Sequence, residues 1–311
     1  MSIIKVQDVE YVRFNAPDLA KMRSFLLDFG LIDAEDVGDG VLRMRGTGTA
    51  PALHETAAGD GGFQCLALRA ASLDDLAKLA AAEGVEIVDA GGPGGGSKIV
   101  LTDPNGHTVE VVAGRARVAA QAPGKPAPWN TTAGHDRTSE PKRLDSGPAH
   151  VLRLGHVVLG VNDMDETWAW WQSRFGLIMS DEVRIPDGPL VAGFIRCDRG
   201  DDPADHHTLN FAAFPGRPPA FHHAAFEVAD LDDLMAGHEH LKTQSYKHDW
   251  GVGRHILGSQ VFDYWKDPFG NRVEHWTDGD VFTADVPTNV TDLQTMLGHQ
   301  WGPGSPVDFA A

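Results

Sequence analysis

The chain repeats itself, and that repeat limits what it can fold into more than any other feature. VEYVRFNAPDLAKMRSFLLDFGL (9–31) parallels LGHVVLGVNDMDETWAWWQSRFGL (154–177). FQCLALRAASLDDL (63–76) parallels FHHAAFEVADLDDL (221–234), and LTDPNGHTVEVV (101–112) parallels WKDPFGNRVEHW (265–276). The offset grows from 145 residues at Asp18/Asp163 to 158 at Leu73/Leu231 and 164 at Pro104/Pro268. A drifting offset means loop insertions in the second copy of a duplicated domain. The 311 residues suit two such domains, each with its own core. We divide the chain into a first domain at 1–115, a linker at 116–149, a second domain at 150–285 and a weakly patterned tail at 286–311. The linker is rich in Pro, Gly, Ser and Thr, without apolar period, and is expected to lie over a domain surface.

Each copy carries the same local code. HVVLGV (156–161) is a β-branched run, followed by an Asn162–Asp163 helix start and a helix near 164–174 that Gly176 ends. The first copy predicts a helix from Pro17–Asp18 to Gly30. FHHAAFEV reads as a strand with a helix from about Leu231, and the matching helix of the first copy opens on a Ser72–Asp75 capping box and closes at Gly84. Asp-Pro-Asn-Gly (103–106) and Asp-Pro-Phe-Gly (267–270) are turns, each leading into a strand expected to end in an acidic position. The expectation is an α+β protein of four modules, two per domain.

Overlaying the copies isolates three positions. His156 falls on Tyr11, His223 on Cys65, and Glu274 on Glu110. Two imidazoles and a carboxylate on three strands form the ligand set of a non-haem Fe(II) with open coordination positions; they also suit zinc or manganese. The first copy keeps the scaffold without the imidazoles, so metal is expected in the second domain only. Among 15 histidines a single strand His is more often structural; the joint placement of the three residues carries the reading. Strand alternation puts His222 and His223 on opposite faces, and spacing alone leaves open which of them binds.

Composition excludes some classes. A net charge of −18 argues against nucleic acid or an anionic membrane as partner. No apolar run approaches the roughly 20 residues of a membrane span, and MSIIKVQDVEYV lacks the pattern of a secretory signal. Two cysteines without a pairing framework fit a cytoplasmic protein.

Residues 154–276 resemble the type I extradiol ring-cleavage dioxygenases of the vicinal oxygen chelate superfamily. LGHVVL (154–159), HHTLNF (206–211), FHHAAFEV (221–228), GRH (253–255) and the run from Tyr264 to Glu274 carry the likeness. It implies tandem domains, each of two paired βαβββ modules forming a cupped sheet. It also implies Fe(II), with Mn(II) as the substitute, on His156, His223 and Glu274, which favours His223 over His222. His207 takes the place of the family's acid–base histidine, and His255 and Tyr264 those of substrate-contacting groups. Val100 stands where Tyr264 would fall in the first copy.

The implied reaction is meta-cleavage of a catechol by O₂. The Lewis acid favours loss of the catechol protons, an imidazole moves protons, and a phenol stabilises developing charge. A glyoxalase-like lyase, a hydroquinone or 2-oxo-acid dioxygenase, and a non-catalytic binding protein are the alternatives. Trp250, five residues before His255, occupies the region where relatives acting on carboxylated catechols carry arginine, so an alkyl- or aryl-substituted catechol is expected; Arg254 is adjacent to the histidine. A homo-oligomer is expected. GGPGGGSK (91–98) lacks the order of a phosphate loop and reads as a hairpin. Trp168, Trp170 and Trp171 read as core or subunit interface.

Overall fold

Alternating apolar residues in the first copy become strands whose inner face meets two capped helices. In a computed structural model, which describes residues 2–121, 128–213 and 216–306, the first copy is β1 (Val6–Ala16), α1 (Leu19–Asp28), β2 (Ile32–Asp33), β3 (Leu42–Arg45) and β4 (His54–Ala58). It continues with β5 (Gly62–Ala70), α2 (Leu73–Glu83), β6 (Val88–Asp89), β7 (Ser97–Thr102) and β8 (Thr108–Ala113). Their order across one sheet is β2-β3-β4-β1-β5-β8-β7-β6, two βαβββ modules joined at the antiparallel β1–β5 pair.

The second copy repeats this with β9 (Val151–Val161), α3 (Met164–Phe175), β10 (Leu177–Arg184), β11 (Leu190–Cys197), β12 (Ala204–Asp205) and β13 (Leu209–Ala213). Its second module is β14 (Phe221–Val228), α4 (Leu231–Thr243), β15 (Lys247–His255), β16 (Val261–Lys266) and β17 (Arg272–Thr277). The chain ends with β18 (Val281–Phe282), β19 (Asn289–Thr291), α5 (Leu293–Met296) and β20 (His299–Trp301). The ten-stranded order is β19-β10-β11-β13-β9-β14-β17-β16-β15-β20. The tail is therefore more structured than its weak pattern suggests: β19 pairs with β10 and β20 with β15, closing both edges of the sheet.

Local chemistry explains the punctuation. Asp18, Ser72, Asp163 and Asp230 each accept the backbone N–H three residues on, capping their helices. Ser72 caps as expected, while the Asp75 carboxylate pairs with Lys78 at 3.0 Å. In both Asp-Pro turns the aspartate Oδ1 accepts two backbone N–H groups, from Asn105 and His107 at 2.9 Å and from Phe269 and Asn271 at 2.8 and 2.9 Å. Each turn fixes the register of the strand bearing the glutamate. The glycine-rich run joins β6 and β7 as a hairpin.

The two halves share a core. Phe14 and Phe63 pack on Phe221 at 5.2 and 4.6 Å between ring centroids. His275, next to Glu274, stacks on Phe29 at 3.8 Å, its Nε2 lying 2.7 Å from the Phe29 carbonyl. Trp171 is fully buried, with Trp168 and Trp170 packed beside it, so this cluster belongs to the core. The expected linker touches the first half where Val118 and Gln121 donate to the carbonyls of Thr49 and Thr47; its residues 122–127, like residues 307–311 of the tail, lie outside the described residues. Among the described residues, no helix is long and apolar enough to cross a membrane.

Candidate metal centre and pocket

Three neighbouring strands of the second half bring the overlay positions together. Ala225 of β14 pairs with His156 on one side and Glu274 on the other. Its small side chain leaves the space above it open. His223 Nε2 lies 3.2 Å, and His156 Nε2 3.3 Å, from Glu274 Oε2; the two nitrogens are 3.4 Å apart. All three residues are buried.

The Tyr264 phenol approaches the same carboxylate, and His156 Nδ1 has no hydrogen-bond partner among the described residues. The three donor atoms lie within 4.8 Å of one another, around a common space. Ligand atoms about 2.0–2.2 Å from one ion stand roughly 3 Å apart, so the donor set fits a divalent metal. Burial holds His156 down to about 3 and His223 well below the usual imidazole value, so both rings are neutral lone-pair donors. Burial also lifts the Glu274 carboxyl well above its usual range, with the Tyr264 phenol opposing it only in part. A cation reverses that cost.

One expectation is corrected here. His222 does not point away from His223: its Nδ1 sits 2.6 Å from His223 Nδ1, and both rings line the same pocket. The cause is a register shift between Phe221 and His223 on the pairing with β9, a bulge that breaks strict alternation. Arg272 Nη1 reaches His222 Nε2 at 2.8 Å.

The pocket's empty space, its open mouth included, is about 670 Å³. His207 lines it with its ring centroid 4.1 Å from that of His156, and burial keeps its pKa well below the usual value. Its Nδ1 lies 3.1 Å from His206 Nδ1, and His206 Nε2 lies 2.6 Å from Asp181. Opposite stand His255 and Tyr264, with His255 Nε2 2.9 Å from the phenol oxygen. Trp250 is parallel to the Tyr264 ring at 5.6 Å. Arg254 is not among the lining residues; it binds the Ser259 carbonyl and Asp278.

Sequence reading missed several features. The Asp181–His206 buttress joins residues 25 apart, and only the HHT pair hinted at it. Met296 and Leu297 bring the tail into the pocket wall, and their only local sign is the Asp292 cap of α5. A second imidazole–carboxylate group, His238, His248 and Asp263, lies outside the pocket lining. There the carboxylate faces His238 Nδ1 at 3.0 Å, His248 Nε2 at 2.8 Å and the Trp265 indole at 2.6 Å, a hydrogen-bonded set.

The first half shows the alternative use of the scaffold. Its Glu110 accepts from the Tyr11 phenol and pairs with Arg13 at 2.8 Å and Lys98 at 2.9 Å. Burial pushes the Cys65 thiol up to about 12. Val100 pairs with Glu110 in the register in which Tyr264 pairs with Glu274.

A family model described as the Glyoxalase/Bleomycin resistance protein/Dioxygenase superfamily matches residues 9–111 and 153–275. Metapyrocatechase 2 of Cupriavidus necator is 31% identical over 232 residues, which are 74% of this chain and 68% of that protein. An iron-dependent extradiol dioxygenase of Rhodococcus jostii is 25% identical over 195 residues, 58% of this chain and 56% of that protein. In fold, an extradiol ring-cleaving dioxygenase from B. fuscum superposes with a TM-score of 0.81 at 18% identity, covering 99% of this chain and 82% of that one.

Proposed function

The chain belongs to the Glyoxalase/Bleomycin resistance protein/Dioxygenase superfamily, and we propose that it is an Fe(II)-dependent extradiol dioxygenase that cleaves a substituted catechol with O₂. The observation that carries this reading is the convergence of His156, His223 and Glu274 on one buried point beside an apolar pocket. These three residues would hold the metal, with Mn(II) as a chemically similar occupant. When bound, the ion supplies Lewis acidity to the catechol oxygens and a place where O₂ meets them.

The chain's own groups do the rest. His207, kept neutral by burial, can take a proton from a catechol hydroxyl and return it later. With Nδ1 held by His206, Nε2 is the nitrogen left for that exchange. Burial raises the Tyr264 phenol well above its usual range, so it remains a hydrogen-bond donor throughout. His255, held down to about 3 by burial, is neutral and orients that phenol. Trp250 and Tyr264 give a flat aromatic wall for a ring. Val158, Phe194, Ala212 and Leu257 keep water scarce and suit an alkyl or aryl substituent.

Anaerobic reconstitution with Fe(II), followed by catechol, 3-methylcatechol and 2,3-dihydroxybiphenyl in air, tests the proposal. A yellow ring-opened product is expected. Iron-loaded protein that leaves every catechol intact would refute it.

A further inference from the structure

Asn210 of β13 is 2% exposed and lines the pocket, yet neither its amide nitrogen nor its amide oxygen has a partner among the described residues. A buried amide left unpaired is costly, and native proteins retain few. The duplicated fold supplies an internal comparison. Asn210 pairs with Val158 on β9 and Phe194 on β11. In the first half, Glu55 holds the same rung between Arg13 on β1 and Arg43 on β3. Glu55 is satisfied by both arginines, at 2.9 Å from Arg13 and 3.2 Å from Arg43. In the second half the rung stays polar, but both partners have become apolar.

No described residue supplies the missing partner, and a ligand in the pocket can. Val158 also pairs with His223, so two strand spacings of about 4.8 Å separate the Asn210 backbone from that of His223. The amide thus faces the space beside the candidate metal, on the His207 side. Resting on the ring-cleavage reading, we propose that Asn210 is a specificity-determining residue whose amide hydrogen-bonds a neutral oxygen of the bound reactants, on the catechol or in dioxygen. A charged carboxylate is disfavoured, because no lysine or arginine lines the pocket among the described residues.

The test measures binding, so it is independent of turnover. Asn210→Leu keeps the branched four-heavy-atom shape and removes both hydrogen-bonding atoms. Calorimetry on anaerobic Fe(II)-loaded protein would compare catechol, 3-methylcatechol and 3-methoxycatechol, with nitric oxide as the stand-in for dioxygen. Affinity for a catechol or for nitric oxide should fall by about 3- to 10-fold, the worth of one neutral hydrogen bond. A loss confined to catechols assigns the contact to ring oxygens, and a loss confined to nitric oxide assigns it to dioxygen. The ligand-free variant should melt at a higher temperature, because an unpaired buried amide is gone. Unchanged affinity for all four ligands, or a lowered melting temperature with unchanged affinities, overturns the proposal. Failure to cleave any catechol would refute the reaction reading and leave these binding results to decide the role of Asn210.

Discussion

Glu110 and Glu274 stand at equivalent places in their two sheets, yet one is neutralised by Arg13 and Lys98 and the other faces two imidazoles. The same strand register therefore serves two ends. In the first half the carboxylate closes an internal ion-pair network; in the second it faces His156 and His223, with which we propose it shares an ion.

That contrast predicts the outcome of Glu110→Gln. Removing the charge leaves Arg13 and Lys98 without their shared partner, and both are largely shielded, at 24% and 15% side-chain exposure. The loss should be about 1–3 kcal/mol, because Arg13 keeps Glu55 at 2.9 Å. Thermal unfolding should show it, while iron content and turnover stay near wild type. An equal loss of iron would mean that the first half takes part in metal binding.

The paired histidines give a second test. His223→Ala removes one of three converging donors and should yield protein without stoichiometric iron. His222→Ala should keep iron but bind it about 10- to 100-fold more weakly, because its ring abuts His223 Nδ1. Metal analysis after dialysis against a graded chelator separates the two. Equal losses in both variants would contradict the assignment of roles.

A third prediction concerns pH, at a residue outside the pocket lining. Asp8 is raised to about 7, chiefly by burial, with Arg153 opposing and Asp205 reinforcing the shift. A carboxyl whose folded pKa exceeds its unfolded value of about 4 binds its proton better when folded. Its ionisation therefore costs stability above pH 7, less on the way down, and nothing below about pH 4. Asp8→Asn should melt higher than wild type at pH 8, and the two should converge at pH 4. A constant difference across that range would show that Asp8 does not titrate as described.

The fold was legible because duplication fixes register twice. Once Asp103 and Asp267 are seen to open equivalent turns, Glu110 and Glu274 must occupy equivalent rungs, and the other overlay positions follow. His222 was misread because alternation assumes a regular ladder, and the bulge at Phe221–His223 has no local sequence signal. Asn210 was overlooked because its meaning lies in what its neighbours lack. Val158 and Phe194 flank it only after β9, β11 and β13 pair, and no single stretch of sequence contains all three. The tail escaped notice for a related reason: β19 and β20 are three residues each, stabilised by sheet edges far away in the chain.

The last prediction separates proton transfer from metal binding. His207 is three residues before Asn210 and its ring lies against His156, but the three converging donors do not include it. Its Nδ1 is held by His206, which Asp181 holds in turn, so the ring is oriented from behind with Nε2 left for the pocket. His207→Phe keeps the ring volume and removes both nitrogens. Iron content should stay at wild-type level, and anaerobic catechol binding should change little, because neither depends on this imidazole. Turnover should fall by roughly 10²- to 10⁴-fold, the usual worth of a positioned acid–base group. Asp181→Asn should fall less, since it weakens the buttress and leaves His207 in place. Rapid mixing of the anaerobic catechol complex with O₂ would place the slow step after substrate binding. If His207→Phe loses its iron, the residue is a ligand; if it turns over normally, the proton moves through another group, and His206 is the first to examine.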